Sequence, residues 1–360
     1  MGPENRGQSP ISSRFDERNL PQRKSGSDPD FLHRLCVAPM MDWTDRHCRY
    51  FLRQVSSSAF LYTEMITTGA LLHGNVERHL AFNTEEHPVA AQLGGSEPED
   101  LAKCAKLVEQ YGYDEVNLNI GCPSERVQRG AFGACLMAEP ELVTDCVRAM
   151  KESVKIPVTV KHRIGLNATE DFAFMENFVR TVSEAGCRTF IVHARNAVLK
   201  GLSPKENREL PPLRYEYVYR LKRDFPALEI VVNGGISSRP SIEQHLLQVD
   251  GVMLGRAAYH DPWVLSDPGN ERRKVVMAMY AYAKKILSKE TRLRHVARHM
   301  LGLFHGHRRA RLWRRMLSDA ARLSQNDPAL LLEALEAVES TSSKETQDER
   351  RTQAQPIQVS

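Results

Sequence analysis

The segment Val116–Pro123 places a thiol and an amide where an apolar strand gives way to a turn. Val116, Leu118 and Ile120 alternate with polar residues, as in a half-buried strand, and Gly121 and Pro123 then end the run. Cys122 is therefore predicted at the carboxyl end of a strand, where a thiol is placed to react. The alternative is that Cys122 is a small apolar side chain packed in the core.

The surroundings of Cys122 repeat the pattern of a strand followed by a helix. Helical spacing of apolar residues is predicted over 98–111, 139–153 and 169–185. Short apolar runs recur at 35–39, 59–64, 89–95, 115–123, 158–165, 189–195, 229–235 and 251–257. Eight strands alternating with helices favour an α/β fold of the (β/α)₈ TIM-barrel type, and a doubly wound sheet is the alternative.

The residues late in or just after these strands favour the barrel. They are Met40, Glu64, Gln92, Asn119, Lys161, His193, Asn233 and Arg256. In a barrel the carboxyl ends of all strands form one face, on which active sites are built. The sequence therefore predicts that these side chains converge on one pocket.

Composition indicates an enzyme that requires neither a membrane nor a disulfide framework. The 360 residues are 41% hydrophobic, with no apolar run as long as a membrane span and no apolar secretion signal at the N-terminus. Seven cysteines, without a CxxC pair, make structural zinc and disulfides unexpected. We expect a cytoplasmic monomer with no bound metal. The polar tails 1–30 and 339–360 are predicted to be disordered.

The chain after the barrel (31–267) is predicted to be a small all-helical domain (268–338) with a basic surface. Residues 271–322 contain 15 Lys or Arg against 3 Asp or Glu, whereas the net charge of the whole chain is +4. Such an excess is typical of a surface that holds a nucleic-acid backbone, and the interleaved aromatic residues Tyr280, Tyr282, Phe304 and Trp313 suit the same role. The alternative is a solvated helical face.

The strand-end residues also suggest what ligand the pocket takes. Glycine-rich turns with Asn233, Gly234 and Gly235, and with Gly255 and Arg256, let a backbone approach a phosphate closely. The amides of Gln92 and Asn119 suit an imide edge such as that of a flavin or a uracil. Three roles are open for Lys161: a cation beside an electron-rich ring, a Schiff-base nucleophile, or half of an internal ion pair. His193 is either a site residue or a satisfied core histidine.

In these motifs the chain resembles the tRNA-dihydrouridine synthases, most closely the A-type members. The resemblance covers about residues 32–325. The segments that carry it are 37–49 (VAPMMDWTDRHCR), 92–95 (QLGG), 117–124 (NLNIGCPS), 160–165 (VKHRIG), 193–195 (HAR), 201–208 (GLSPKENR), 233–236 (NGGI) and 254–257 (LGRA). One departure is 306–311 (GHRRAR), which is less rich in glycine than the A-type loop.

The resemblance implies an FMN-containing barrel followed by a helical domain that grips tRNA. Its implied ring contacts are the backbone of Pro39, Met40 and Met41 and the side chains of Gln92, Lys161 and His193. The phosphate would lie on Asn233, Gly234, Gly235, Gly255 and Arg256. Implied tRNA contacts are Asn119 and Arg163 at the uracil, and Lys205 and Arg208 elsewhere. In the basic segment, the charge pattern makes Arg311, Arg314 and Arg315 further candidate contacts.

The implied reaction is reduction of a uridine in the tRNA D-loop to 5,6-dihydrouridine. Reduced FMN would give a hydride to C6, and Cys122 would give a proton to C5 as a general acid. NADPH is the expected external reductant, with NADH also possible.

Three rival functions are consistent with parts of the sequence. A small-molecule FMN barrel, such as a dihydroorotate dehydrogenase or an ene-reductase, shares the cofactor residues but does not need the basic helices. A class I aldolase would use Lys161 without a flavin. A noncatalytic RNA-binding protein would use the basic surface without Cys122.

Overall fold

Eight parallel strands form a barrel in this computed structural model, which describes residues 33–124, 127, 130–167 and 171–340. Their order is β1-β8-β7-β6-β5-β4-β3-β2, and a parallel bridge between Cys36 and Phe60 brings β1 back to β2. The (β/α)₈ prediction is confirmed, and the doubly wound alternative is wrong. The strands are β1 Leu35–Val37, β2 Leu61–Thr67, β3 Val89–Gly94, β4 Glu115–Ile120, β5 Val158–Arg163, β6 Thr189–His193, β7 Glu229–Asn233 and β8 Gly251–Leu254.

Helices connect the strands and cover the barrel. In α4 the buried residues Leu101, Cys104, Ala105 and Val108 are three or four apart, so one apolar stripe faces the strands. Pro98 starts that helix, where its missing N–H costs nothing. The barrel helices are α1 Arg46–Val55, α2 Thr68–His73, α3 Val76–Leu80, α4 Pro98–Gln110, α5 Pro140–Ser153, α6 Phe172–Glu184, α7 Tyr215–Asp224, α8 Arg239–Leu246 and α9 Arg256–His260.

The apolar core has two parts of unequal size. The larger part lies between the strands and the helices and continues into the C-terminal helices. The smaller cluster comprises Cys36, Ala38, Phe60, Tyr62, Ala90, Ile191, Val231 and Met253. These residues alternate along their strands with members of the larger core, so they face the barrel interior. Polar side chains occupy much of the remaining interior.

The C-terminal segment forms helices that pack on the barrel through α1. Tyr282 stacks on Tyr50 with ring centroids 4.0 Å apart, and its hydroxyl lies 2.7 Å from His47 Nδ1. The helices are α10 Arg272–Ile286, α11 Leu293–Ala297, α12 Ala310–Leu317, α13 Ala320–Ser324 and α14 Ala329–Glu339. Glu339, placed in the predicted C-terminal tail, therefore ends a helix. The rest of both tails lies outside the described residues apart from Ser340.

The aromatic residues of this segment are mostly core residues, and their predicted place on the basic surface is wrong. Tyr282 and Phe304 are buried, and Trp313 is 0% exposed, with its Nε1 donating to the Met300 carbonyl at 2.8 Å. Only Tyr280 is partly exposed. Packing explains the difference, because large rings at helical spacing bury more apolar area than any other residues of the segment.

Within the described part of the chain, no helix is long and apolar enough to cross a membrane.

Candidate active site at the carboxyl ends of the strands

Cys122 lies in a turn just beyond β4, and the turn is held from both sides. Asn119 Oδ1 accepts hydrogen bonds from the backbone N–H groups of Gly121 and Cys122 at 3.1 and 3.0 Å. The Cys122 carbonyl accepts from Ala134 N at 3.0 Å. The Cys122 side chain is partly exposed, unlike the buried cysteines 36, 48, 104, 146 and 187. Cys122 is therefore not a core packing residue.

Gln92 lies beneath this turn and orients Asn119. Its Oε1 accepts from Asn119 Nδ2 at 2.8 Å, and its Nε2 donates to Asn117 Oδ1 at 2.8 Å. Only 1% of Gln92 is exposed. Both amides use their oxygens within the protein, and each keeps one N–H for a ligand.

Lys161 is the central cation of the site. It pairs in register with Asn119, so it lies on the strand next to the Cys122 turn. Burial, with repulsion from Arg163, lowers the pKa of Lys161 to about 7. Its ammonium makes no hydrogen bond or ion pair with any residue that the structure describes, which is evidence against the alternative of an internal ion pair. An unpaired cation here is suited to an electron-rich or anionic ligand.

His193 and the turn after β7 lie together. A Cβ built on Gly234 would come within 2.7 Å of His193 Cδ2, and one on Gly235 within 2.7 Å of Leu213 Cδ1. Both glycines have positive φ, 116° and 71°, which other residues rarely adopt. Burial and the charges of Arg163, Lys161, Arg195 and Arg208 hold the pKa of His193 well below its usual range, so the ring is neutral.

The side chain of His193 has no hydrogen-bond partner within the described ranges, so it is not a satisfied core histidine. Asn233 differs, because its Nδ2 donates to the Met253 carbonyl at 2.7 Å and ties β7 to β8. Its side chain thus has a structural role in addition to any ligand contact.

The turn after β8 is open. A Cβ on Gly255 would meet nothing closer than Ala38 Cβ at 3.8 Å. Arg256 is exposed and forms an ion pair with Glu209, which is also exposed. An exposed pair of this kind contributes little free energy, so a phosphate can replace the carboxylate.

Arg163 is more deeply buried than its predicted contact with uracil suggests. It is 3% exposed, and it donates to the carbonyls of Gly121 at 3.2 Å, Asn196 at 3.2 Å and Asn207 at 3.0 Å. These bonds fix the Cys122 turn to the loop that follows β6. A supporting role in the site is therefore clearer for Arg163 than a direct contact.

The backbone of Met40, in the loop after β1, is hydrogen-bonded within that loop. Thr44 uses both polar groups of Met40, because Met40 N donates to Thr44 Oγ1 at 3.0 Å and Thr44 N donates to the Met40 carbonyl at 3.0 Å. Pro39 is half-buried and Met41 is 59% exposed. Glu64 was expected late in its strand but lies in the middle of β2. It is half-buried, and burial together with Asp45 raises its pKa.

The predicted tRNA contacts fall into two groups. Lys205 and Arg208 are exposed in the loop after β6, and Arg311, Arg314 and Arg315 are exposed on α12. Sequence reasoning missed Asn207, which is 0% exposed and shapes that loop through bonds to Val198 N at 2.8 Å and Val198 O at 2.9 Å. Its only signal was an asparagine between charged residues.

Acidic residues from outside residues 271–322 form ion pairs with several arginines of the basic segment. Arg273 pairs with Glu339, and Arg322 with Glu333, both from α14. Arg298 pairs with Asp45 of the barrel at 2.6 Å. The free positive charge is therefore smaller than the count over 271–322, and the exposed arginines of α12 carry much of it.

Metal chemistry has no evident ligand set here. Among the residues that the structure describes, no three His, Cys, Asp or Glu side chains are grouped to hold a metal ion.

Comparison with known proteins gives one family for most of the chain. Residues 36–341 match the family model described as dihydrouridine synthase (Dus). The tRNA-dihydrouridine(20/20a) synthase of Salmonella typhi is 54% identical over 329 residues, covering 88% of this chain and 98% of that protein.

Proteins of the same name from Escherichia coli (strain K12) and Vibrio vulnificus (strain CMCP6) are similarly close. The first is 54% identical over 323 residues, 87% of this chain and 93% of its own length. The second is 55% identical over 313 residues, 84% of this chain and 96% of its own length. With this coverage and a barrel whose strand ends carry the motifs described above, the chain belongs to the dihydrouridine synthase family.

Proposed function

We propose that this protein is an FMN-dependent tRNA-dihydrouridine synthase that reduces uridine in the tRNA D-loop, with NADPH or NADH as external reductant. The name of the relatives, tRNA-dihydrouridine(20/20a) synthase, points to uridines 20 and 20a. We further propose a cytoplasmic monomer, with catalysis in 31–267 and tRNA binding in 268–338.

The strand-end residues fit FMN. Lys161 has no hydrogen-bond or ion-pair partner among the residues that the structure describes, and the Gly234–Gly235 turn leaves no space for a Cβ. The flavin ring would be held by Lys161, His193, Gln92 and the backbone of Pro39–Met41. The phosphate would be held by Asn233, Gly234, Gly235, Gly255 and Arg256. Arg256 would give up its ion pair with Glu209 and bind the phosphate instead.

FMN held by these residues would supply the hydride that C6 of uracil requires. The chain's own residues supply the proton and the geometry. Cys122, partly exposed at the end of β4, gives the proton to C5 as a general acid. Asn119 holds the backbone of that turn and keeps one N–H for the uracil. Arg163 fixes the same turn through the Gly121 carbonyl.

Binding of tRNA requires contacts away from the reacting base, because the target uridine must leave its stack to reach the pocket. The exposed residues Arg311, Arg314 and Arg315 on α12 form one cationic face. Lys205 and Arg208 extend positive charge to the barrel mouth. Phosphate contacts position a nucleic acid without reading its sequence, which suits both groups.

The single observation that carries the proposal is the partly exposed Cys122 thiol at the end of β4, next to the buried Lys161 of β5. A class I aldolase has no use for the thiol, and a noncatalytic RNA-binding protein has no use for either group. A small-molecule flavin barrel shares the cofactor residues, Lys161 among them, but does not need the basic face of α12.

The test is spectroscopic and enzymatic. Protein that has been supplied with FMN and freed of the unbound excess should absorb at about 450 nm and release FMN on denaturation. With NADPH and unmodified tRNA it should form dihydrouridine in the D-loop, mapped by sequencing. Colourless protein that binds no added FMN would contradict the proposal, and flavin reduction without dihydrouridine would favour a small-molecule enzyme.

A further inference from the structure

A continuous line of side-chain hydrogen bonds runs through the barrel interior to the Cys122 turn. It begins at Glu115, the first residue of β4, which is 1% exposed at the opposite end of the barrel from the site. The successive donors and acceptors are Thr159 Oγ1 to Glu115 Oε1 (2.6 Å), Asn117 Nδ2 to Thr159 Oγ1 (2.8 Å), Gln92 Nε2 to Asn117 Oδ1 (2.8 Å), Asn119 Nδ2 to Gln92 Oε1 (2.8 Å), and Cys122 N to Asn119 Oδ1 (3.0 Å).

Strand register explains how the line forms. Gln92 pairs with Asn117, and Asn117 pairs with Thr159, on three adjacent strands. Their side chains face the same interior, because alternate residues of a strand point to the same side. Each group is therefore within reach of the next without any loop taking part.

The direction of every bond in the line is fixed at its two ends. An ionised Glu115 can only accept, so Thr159 must donate to it and accept from Asn117. At the other end a backbone N–H can only donate, so Asn119 must present its oxygen to Cys122. The two requirements agree only if each amide between them has the orientation observed.

The carboxylate end is itself held by charge. His33 Nε2 lies 2.7 Å from Glu115 Oε2, and His33 Nδ1 lies 2.9 Å from Glu229 Oε2. Although burial opposes a charge on the ring, the two carboxylates raise the pKa of His33 to about 10. Tyr62 donates to the other Glu115 oxygen at 3.1 Å.

We infer that Glu115 and Thr159 are positioning residues for the site, acting through Asn117 and Gln92 on Asn119 and so on the Cys122 turn. Without the Thr159 hydroxyl, Asn117 loses the acceptor that orients it, and only the backbone N–H groups of Gly121 and Cys122 then orient Asn119. The Asn119 side chain, held from one end, lets the turn shift, and the thiol shifts with it. That this shift impairs uridine reduction rests on the proposed function, whereas the movement of the thiol does not.

The decisive variant is Thr159→Val, which removes the hydroxyl and keeps the shape. Thr189→Val is a matched control, because Thr189 Oγ1 donates to Glu229 Oε2 at 2.7 Å in the same charged network but makes no hydrogen bond to Glu115, Thr159, Asn117, Gln92 or Asn119. Thr159→Ser restores the hydroxyl. If Thr159→Val does not fold, Thr159→Ala removes the hydroxyl with a smaller side chain and takes its place.

Two readouts are needed. The first is the rate of iodoacetamide alkylation at Cys122, resolved by mass spectrometry and measured without tRNA or nicotinamide. The second is the separation of kcat from KM for tRNA, with nicotinamide oxidation measured alongside. Urea unfolding of both valine variants shows whether their losses of stability are comparable.

We expect Thr159→Val to change the alkylation rate of Cys122 severalfold and to lower kcat by about 10–100-fold with KM for tRNA little changed. Thr159→Ser should recover both, and Thr189→Val should alter neither. Equal alkylation and kcat in the two valine variants would overturn the inference. If the wild type does not reduce tRNA, the proposed function fails, while the alkylation comparison still decides whether Thr159 positions the turn.

Discussion

Asp45, at the start of α1, forms an ion pair with Arg298 of the C-terminal helices, with Asp45 Oδ2 2.6 Å from Arg298 Nη2. The same carboxylate caps α1 by accepting from the N–H groups of His47 and Cys48, both at 2.9 Å. It also lies 3.0 Å from His299 Nε2. One side chain therefore joins the loop after β1, helix α1 and the C-terminal helices.

We predict that Asp45→Asn and Asp45→Ala separate these two roles. Asparagine keeps a capping oxygen, so Asp45→Asn should lower the free energy of unfolding by only about 0.5–1 kcal/mol, since Arg298 is 43% exposed. Asp45→Ala should cost about 1 kcal/mol more through loss of the cap. Urea unfolding measures both. Equal losses for the two variants would contradict the capping role.

The stability that the Asp45 carboxylate contributes also depends on pH. Although burial alone would raise it, the hydrogen bond and charge of His299 and the bond from Cys48 N hold the pKa of Asp45 well below its unfolded value of 3.8. A carboxylate with a depressed pKa stabilises the folded state above its unfolded pKa, and that stability is lost as pH falls further. The difference between wild type and Asp45→Asn should therefore be constant at neutral pH and shrink only below pH about 4.

The strands and their ends were predictable from the sequence because both depend on local pattern. Apolar runs that end in polar residues placed Asn119, Lys161 and His193 on one face, as the structure shows. The pairing of Arg273 and Arg322 with α14 was not predictable, because it depends on how distant helices pack.

The line of hydrogen bonds from Glu115 to Asn119 could not be predicted from the sequence either. Asn117 and Thr159 read as ordinary polar positions of their strands until the register between strands is known. A charged residue opening a buried strand, as Glu115 does, was the one available signal.

We predict that Cys122→Ala loses tRNA reduction and keeps flavin chemistry. A general acid contributes about 10²–10⁴-fold, so the rate of dihydrouridine formation should fall by that factor. FMN binding and nicotinamide oxidation should be unchanged, because the thiol is needed only for the proton at C5. Single-turnover reduction of unmodified tRNA provides the measurement, with Cys135→Ala, another partly exposed cysteine, as control. A wild-type rate in Cys122→Ala would remove Cys122 from the role of acid.

We predict that FMN affinity depends on pH through Lys161. The pKa of Lys161 is lowered to about 7 by burial, with Arg163 adding repulsion. If the flavin's acceptor atoms favour the ammonium form, binding must take up a proton above pH 7. The dissociation constant should then rise by up to about tenfold per pH unit between pH 7 and 9, and it should be flat just below pH 7.

Lys161→Met is the control for that experiment. It should bind FMN more weakly at pH 7 and show no such rise, whereas the titration of the FMN phosphate near about pH 6 affects both proteins alike. Fluorescence quenching of added FMN gives both curves. Parallel curves for wild type and variant would show that Lys161 does not bind the flavin as a cation.

The last prediction concerns the exposed arginines of α12. Replacing Arg311, Arg314 and Arg315 together by Gln deletes three charges on one face and keeps polar side chains there. Binding of tRNA should weaken, and the slope of log K against log salt should become shallower by up to about 2–3 units, since each neutralised phosphate contributes about 0.7–0.9. Nicotinamide oxidation should be unaffected, because these residues lie outside the barrel.

A second triple variant distinguishes a contact surface from net charge. Arg273, Lys274 and Arg322 are each paired with a glutamate, at Glu339, Glu271 and Glu333. Changing these three to Gln removes the same charge from the same helical segment but leaves the face of α12 intact. If α12 holds the tRNA backbone, this control should lose less affinity and keep most of its salt slope, because contacts close to phosphates release the counterions. Equal losses in the two triples would mean that net charge alone attracts tRNA. If the α12 triple variant binds tRNA as tightly as the wild type at every salt concentration, the main tRNA contacts would instead be Lys205 and Arg208 at the barrel mouth.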